Sequence, residues 1–217
     1  MEKEFWLKKW DENQIGFHED NYNKFLVNHW EALMKKPRRV LVPLCGKSQD
    51  MIYLAKRSES VLGVELSEKA VIEFFKDNSL KYVKEENKDY DVYTSENITL
   101  IRGDLFTIPA RFFEGIDAVY DRACIVALPA DLRAKYIHFI NHKLQHSSYF
   151  LQTLAFDDRE VGPPFCVSVE DVNSYFSQDF KIEQVDSKRL INDDINVHQD
   201  KVSYLESLVF HLQRKTK

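Results

Sequence analysis

The stretch Arg39-Val40-Leu41-Val42-Pro43-Leu44-Cys45-Gly46-Lys47-Ser48-Gln49-Asp50 constrains this chain more than any other. Four apolar residues of strand length end in a sharp turn, and a helical pattern begins at Ser48. Strand, glycine turn and helix start are the parts of a first βα unit that cradles a nucleotide. Glycine suits such a turn because the backbone must approach a ligand where a Cβ would collide. Glu65 follows Gly46 by nineteen residues and closes a second strand, Ser60-Val61-Leu62-Gly63-Val64-Glu65. An acid about 20 residues beyond the turn is placed to accept hydrogen bonds from a ribose. Gly46 is a lone glycine where the full fingerprint has three, so the two strands by themselves fit an ordinary α/β turn as well as an adenosine pocket.

The rest of the chain repeats the alternation. Trp6 and Trp10 share one helical face, and a second helix capped by Asp20 or Asn21 runs to about Lys36 with Phe25, Leu26, His29, Trp30 and Leu33 on one side. Residues 1–36 are thus a helical layer over one sheet edge, or a lid with Trp10 and Phe17 toward a ligand. Ser67 caps a helix through Ala70, Val71, Phe74 and Phe75. Residues 81–96 are polar and read as a surface excursion. Ile98–Ile101 and Ile116–Asp121 are strands, Asp131 to about Lys143 a helix with Leu132, Tyr136, Phe139 and Ile140 on its apolar face, and Tyr149–Phe156 another strand. Gly162-Pro163-Pro164-Phe165 is a rigid loop, and Ser168 caps a further helix. Phe180–Val185 and much of Val202–Leu212 alternate with period two and pair at an edge. This order predicts one α/β domain, a doubly wound and mostly parallel sheet with an antiparallel strand at the end. Ligands in such sheets lie outside the carboxyl ends of the strands, which here carry Leu44 to Gly46, Glu65, Asp104-Leu105 and Asp121-Arg122.

Composition narrows the partners. With 217 residues and 44% apolar content the chain can bury a real core, and its net charge of −5 gives no basic footprint for nucleic acid. No apolar run has the length of a membrane span, and the opening Met1-Glu2-Lys3-Glu4-Phe5-Trp6 has no signal-peptide h-region. Cys45, Cys124 and Cys166 are odd in number and far apart, which points to a reducing, cytoplasmic setting. His138, His142 and His146 follow at i, i+4 and i+8, but no other ligand type joins them, so no metal site is expected.

Several runs resemble the thiopurine S-methyltransferase family. They are Val42-Pro43-Leu44-Cys45-Gly46-Lys47-Ser48, Gly63-Val64-Glu65-Leu66-Ser67, Gly103-Asp104-Leu105-Phe106, Asp121-Arg122-Ala123, Ala127-Leu128-Pro129 and Gly162-Pro163-Pro164-Phe165, with Trp6, Lys9-Trp10 and Gly16-Phe17-His18 in the opening segment. The resemblance covers the whole chain in order. It implies a single class I methyltransferase domain, Rossmann-like, with a seven-stranded sheet and a helical lid over residues 1–36. The implied activity is methyl transfer from S-adenosylmethionine to sulfur, leaving S-adenosylhomocysteine, in a cytoplasmic monomer that needs no metal. Related sequences methylate thiols or halides. By resemblance Trp10 and the segment to Phe17 close over cofactor and acceptor, Leu44 and Gly46 approach the cofactor with backbone, and Glu65 holds the ribose. Asp104 and Leu105 flank the adenine, Arg122 lies near the methionine end or the reacting centre, and Phe17, Arg122 and Pro164 face the acceptor. Ser58, Ser147 and Ser148 stand where many relatives have glycine. A second substrate-facing arginine is unmatched in 186–201, where Lys188, Arg189, His198 and Lys201 are the basic residues.

Methyl transfer from a sulfonium asks mainly for orientation, and near-attack positioning can supply roughly 7–11 kcal/mol. A thiolate is the competent nucleophile. Arg122, always protonated, could favour it, and aromatic faces such as Trp10 could lie against a flat acceptor or the sulfonium. Blander roles stay open: Glu65 as a solvated strand-end acid, Arg122 paired with Asp121 or Asp104, Asp104 as a turn cap, Cys45 as a small packing residue, His18 as a lid hydrogen bond. Two other functions also fit, a nicotinamide-dependent oxidoreductase using the same Glu65 and a non-enzymatic cofactor-binding domain. The acceptor itself, whether small thiols, selenium or tellurium species or halides, is left open.

Overall fold

The computed structural model describes residues 3–122, 124–190 and 202–215. The chain divides into two compact units, Met1–Ala118 and Val119–Lys217.

In the first unit, α1 (Lys3–Asp11) and α2 (Lys24–Met34) precede β1 (Arg39–Pro43), α3 (Asp50–Ala55), β2 (Ser60–Glu65) and α4 (Glu68–Asp77), and then β3 (Val83–Glu86), β4 (Asp91–Ser95) and β5 (Ile98–Arg102). The strand order is β3-β4-β5-β2-β1. β1 and β2 are parallel, Val40 opposite Val61, and β2 and β5 are parallel, Val61 opposite Ile98. β1 and β2 are buried almost throughout, which is why they read as unbroken apolar runs rather than alternations. Ser67 caps α4 as expected, its hydroxyl accepting from Ala70 N at 3.2 Å. The α2 cap is Asn23, not Asp20 or Asn21; its Oδ1 accepts from Leu26 N at 3.1 Å while its own N–H donates to Asp50 Oδ1 at 2.7 Å.

Residues 81–96, read as a surface excursion, are strands, with β3 largely exposed and β4 largely buried. They form the antiparallel hairpin of β3 and β4, and β4 runs antiparallel to β5. The charges that disguise these strands are paired. Arg102 Nε and Nη2 donate to Asp91 Oδ2 at 3.1 and 2.5 Å, and Lys84 contacts Glu68 at 2.9 Å and Glu86 at 3.0 Å. Beneath them Tyr93 is fully buried, stacked on Phe75 with ring centroids 6.4 Å apart. The described residues therefore carry nine strands against an expected seven.

Gly63 shows how tightly β2 is packed. A Cβ there would lie 2.4 Å from Leu100 Cδ2 and 2.7 Å from Cys45 Sγ. Its absence lets the turn after β1 rest on β2. Gly63→Ala is therefore expected to lower stability by about 1–3 kcal/mol through overpacking, read as a fall in Tm.

The second unit begins within β6 (Ala118–Asp121), which is followed by α5 (Cys124–Ala127), α6 (Ala130–Lys143), β7 (Ser148–Phe156), α7 (Val169–Phe176), β8 (Phe180–Arg189) and β9 (Leu205–Arg214). The order is β6-β7-β9-β8, and β9 is antiparallel to both β7 and β8. β8 is longer than the alternation predicts because a bulge falls between Gln184 and Asp186. The extra residue breaks the period-two count at Val185, where the pattern ends by eye. On α6 the buried side chains are Arg133, Tyr136, Phe139 and Ile140, with Leu132 only half-buried. His146 lies past the end of α6, so the three histidines do not share one helix.

Candidate functional site

Four of the sequence-predicted residues of the first unit meet at the end of β1. The backbone there turns through Leu44 at φ 49° and Gly46 at φ 53°, both left-handed. For leucine that conformation costs about 1–2 kcal/mol and persists only where the surroundings hold it. A Cβ on Gly46 would come 3.0 Å from Trp10 Cζ2, so the indole lies on the turn and glycine is required for space as well as for φ. Trp10 is buried, and Phe17, 41% exposed, meets it edge-on at 5.7 Å.

Glu65 fastens the turn from the other side. Its Oε2 accepts from Gly46 N at 2.9 Å and its Oε1 from Ser67 N at 2.8 Å. One carboxylate thus ties the turn after β1 to the start of α4. Each oxygen has a second lone pair, so the group keeps acceptor capacity at the glycine turn. Burial pushes its carboxyl up, opposed by the N–H groups of Ser67, Gly46 and Leu66. It is a buried, placed acid rather than a solvated strand end. Beside it, burial first and then the charge of Glu65 push the Cys45 thiol well up, which keeps it protonated and leaves it a packing residue.

Two lysines fix α1. Lys69 Nζ donates to Trp10 O at 2.7 Å, satisfying a helix-end carbonyl, and Lys3 Nζ lies 2.8 Å from Asp104 Oδ2. Asp104 Oδ1 also accepts from Phe106 N at 3.0 Å, so it caps its own turn, and Leu105 beside it is buried.

In the second unit the end of β6 is built on Asp121. Its Oδ2 accepts from the hydroxyls of Tyr136 and Tyr149, each at 2.7 Å, and its Oδ1 from Cys124 N at 2.8 Å. The two phenol oxygens are 2.5 Å apart. Burial raises the Asp121 carboxyl despite these donors and pushes both phenols well up. Half-buried Arg122 follows directly, on a backbone that Asp121 holds. Pro164 is half-buried in the loop after β7, and Phe165 N of that loop donates to Val126 O at 2.6 Å. Lys188 and Arg189 end β8, whereas His198, Lys201 and Ala123 lie outside the described residues.

Sequence reasoning missed Lys3, Lys69, Arg133 and the partnership of Tyr136 and Tyr149 with Asp121. The tyrosines were legible as apolar-face residues, but a hydroxyl on a core-facing ring is itself a signal that a polar partner is near.

The whole architecture has known counterparts. The thiopurine S-methyltransferase model matches residues 1–215. A thiopurine S-methyltransferase of Pseudomonas fluorescens (strain Pf0-1) is 39% identical over 98% of this chain and 99% of its own. One from Shewanella sp. (strain W3-18-1) is 37% identical over 99% and 100%. The chain belongs to the thiopurine S-methyltransferase family. It is accordingly an S-methyltransferase dependent on S-adenosylmethionine. The class I fold is shared with a methyltransferase of Anabaena variabilis, described as dependent on that donor, at TM-score 0.68 and 16% identity over 98% of this chain and 94% of that one. It is also shared with the 1,6-didemethyltoxoflavin-N1-methyltransferase of Burkholderia thailandensis, solved with S-adenosylhomocysteine, at TM-score 0.63 and 13% identity over 98% and 87%. Among the described residues no helix is long and apolar enough to cross a membrane.

Proposed function

We propose that the first unit holds S-adenosylmethionine at the Gly46 turn and that the enzyme methylates small, acidic thiols, aromatic ones included. The observation that carries this is the Glu65 carboxylate, buried and fixed on the N–H groups of Gly46 and Ser67, with an acceptor position left on each oxygen. That pair of acceptors suits the two hydroxyls of a ribose diol. Glu65 would hold the hydroxyls, Leu44 and Gly46 the backbone side, and Asp104 and Leu105 the base. Trp10 and Phe17, on a segment tied down by Lys3 and Lys69, exclude water. When bound, the cofactor supplies a methyl carbon activated by the sulfonium charge and remains as S-adenosylhomocysteine. The protein adds no strong base, because an acidic thiol is partly ionised at neutral pH. Arg122 favours the thiolate, or binds the methionine end of the cofactor, and Phe17 and Pro164 face the acceptor. The family match spans both units, which supports one catalytic domain, and buried Cys45, Cys124 and Cys166, thiols rather than disulfides, support a cytoplasmic protein. We read it as a monomer.

The test is methyl transfer to a matched pair, benzenethiol and phenol, followed by product mass. The thiol is expected to be methylated at least about 100-fold faster than the phenol, since sulfur is both more ionised and more nucleophilic at neutral pH. Equal rates, or no methyl thioether, would contradict a thiol acceptor.

A further inference from the structure

Arg133 is a buried cation in the second unit, 7% exposed, and its hydrogen bonds go to neutral acceptors. Nε donates to Ile125 O at 3.2 Å, Nη2 to Leu128 O at 3.1 Å, and Nη1 to Cys166 O and the Tyr175 hydroxyl at 3.5 and 3.4 Å. Its guanidinium carbon lies 5.8 Å from the centre of the Phe165 ring. One side chain on α6 therefore fastens three segments: α5 with the bend after it, the loop after β7, and α7. The first two contain Ala127-Leu128-Pro129 and Gly162-Pro163-Pro164-Phe165, which lie outside any strand ladder.

A guanidinium buried with no carboxylate partner among the described residues is expensive, and a hydrophobic residue of similar size would fill the volume at less cost. What a hydrophobic residue or a lysine cannot supply is a planar fork of five N–H groups reaching several carbonyls at once. The direct bond from Phe165 N to Val126 O at 2.6 Å runs between two of the same segments, so the tie is reinforced. Asp121 separately holds the turn at Arg122; Arg133 acts on residues 125–128 and 165–166.

We propose that Arg133 is the positioning residue of the acceptor side, holding the Pro164–Phe165 wall in place and thereby setting acceptor affinity without touching acceptor or cofactor. This rests on the reading of Pro164 as facing the acceptor. The residues assigned to the ribose and the base, Glu65, Asp104 and Leu105, lie in the first unit, and the Arg133 hydrogen bonds go to Ile125, Leu128, Cys166 and Tyr175 rather than to Arg122, so Arg133 should affect the two ligands unequally.

The experiment measures the benzenethiol KM, kcat and S-adenosylhomocysteine Kd for wild type, Arg133→Lys and Arg133→Met. In both variants the thiol KM should rise about tenfold or more, as small displacements of a positioned wall do. The Kd should stay within about twofold, and lysine should not restore KM because it lacks the fork. An unchanged thiol KM in folded Arg133→Lys overturns the proposal, and so does a KM that rises only in step with Kd, which would mark general loosening. Should neither variant fold, Tyr175→Phe decides, since it removes one acceptor and leaves the guanidinium. It should raise KM roughly threefold, as loss of one hydrogen bond does, with Kd unmoved, and an unmoved KM overturns the proposal. A wild type that binds S-adenosylhomocysteine but methylates no thiol overturns the acceptor reading and this inference together. A wild type that methylates thiols beside a normal Arg133→Lys overturns the inference alone.

Discussion

Glu65→Ala is expected to weaken S-adenosylhomocysteine binding by about 10²–10⁴-fold, because each hydrogen bond to a charged group contributes about 1.5–3 kcal/mol and two are lost. Calorimetric titration reads this directly. The variant also frees the Gly46 and Ser67 N–H groups that the carboxylate now satisfies, so the turn after β1 loses its tie to α4. Glu65→Gln should be nearly as damaging, which separates this account from one in which Glu65 only carries charge. An amide has one oxygen, so its NH2 must face either Gly46 N or Ser67 N, donor against donor. A Gln variant that binds like wild type would mean that the carboxylate is not shared as described.

Asp121→Ala should be the most destabilising single change at the site. It leaves Cys124 N–H and one of the two phenols without an acceptor, since Tyr136 and Tyr149 can satisfy only one hydroxyl between them. At about 1–3 kcal/mol per buried unsatisfied group the loss is about 2–6 kcal/mol, or a Tm lower by roughly 4–24 °C. Asp121→Asn should cost less, because its oxygen can face Cys124 N and its NH2 can donate to a phenol oxygen, leaving a single phenol O–H without an acceptor. Linkage gives a further check. Burial holds the Asp121 carboxyl above its ordinary value, so the native state keeps its proton where the unfolded chain has lost it. Stability then falls as pH rises from the ordinary carboxylate range through the native value. The stability lead of wild type over Asp121→Ala should shrink across that window and level off above it. A lead that grows with pH would contradict the assigned direction.

The sequence displays the βα units because buried parallel strands are bound to be unbroken apolar runs with turns at their ends, and Ser60–Glu65 is read to the residue. Glu65 is legible because its distance from Gly46 reflects the length of one strand–helix–strand unit. What escapes is whatever depends on partners far along the chain. β3 and β4 look polar until Arg102, Glu68 and Phe75 are seen to pair with them. Asp121 looks like a strand-end acid until two tyrosines 15 and 28 residues away converge on it. Arg133 sits where an apolar face is expected, and its charge hides a buried position. The cap of α2 moved to Asn23 because a contact to Asp50, 27 residues on, favours it over its neighbours.

The central claim is that the Gly46 turn and Glu65 form the seat of an adenosyl methyl donor. Titrating the wild-type protein with S-adenosylhomocysteine, beside NADH, tests it most directly. The account predicts saturable binding of the first, with a Kd on the order of micromolar, about −8 kcal/mol, and no heat from the second. Binding of NADH without S-adenosylhomocysteine would give the same acid to a nicotinamide cofactor, and no binding of either would leave the turn a structural joint.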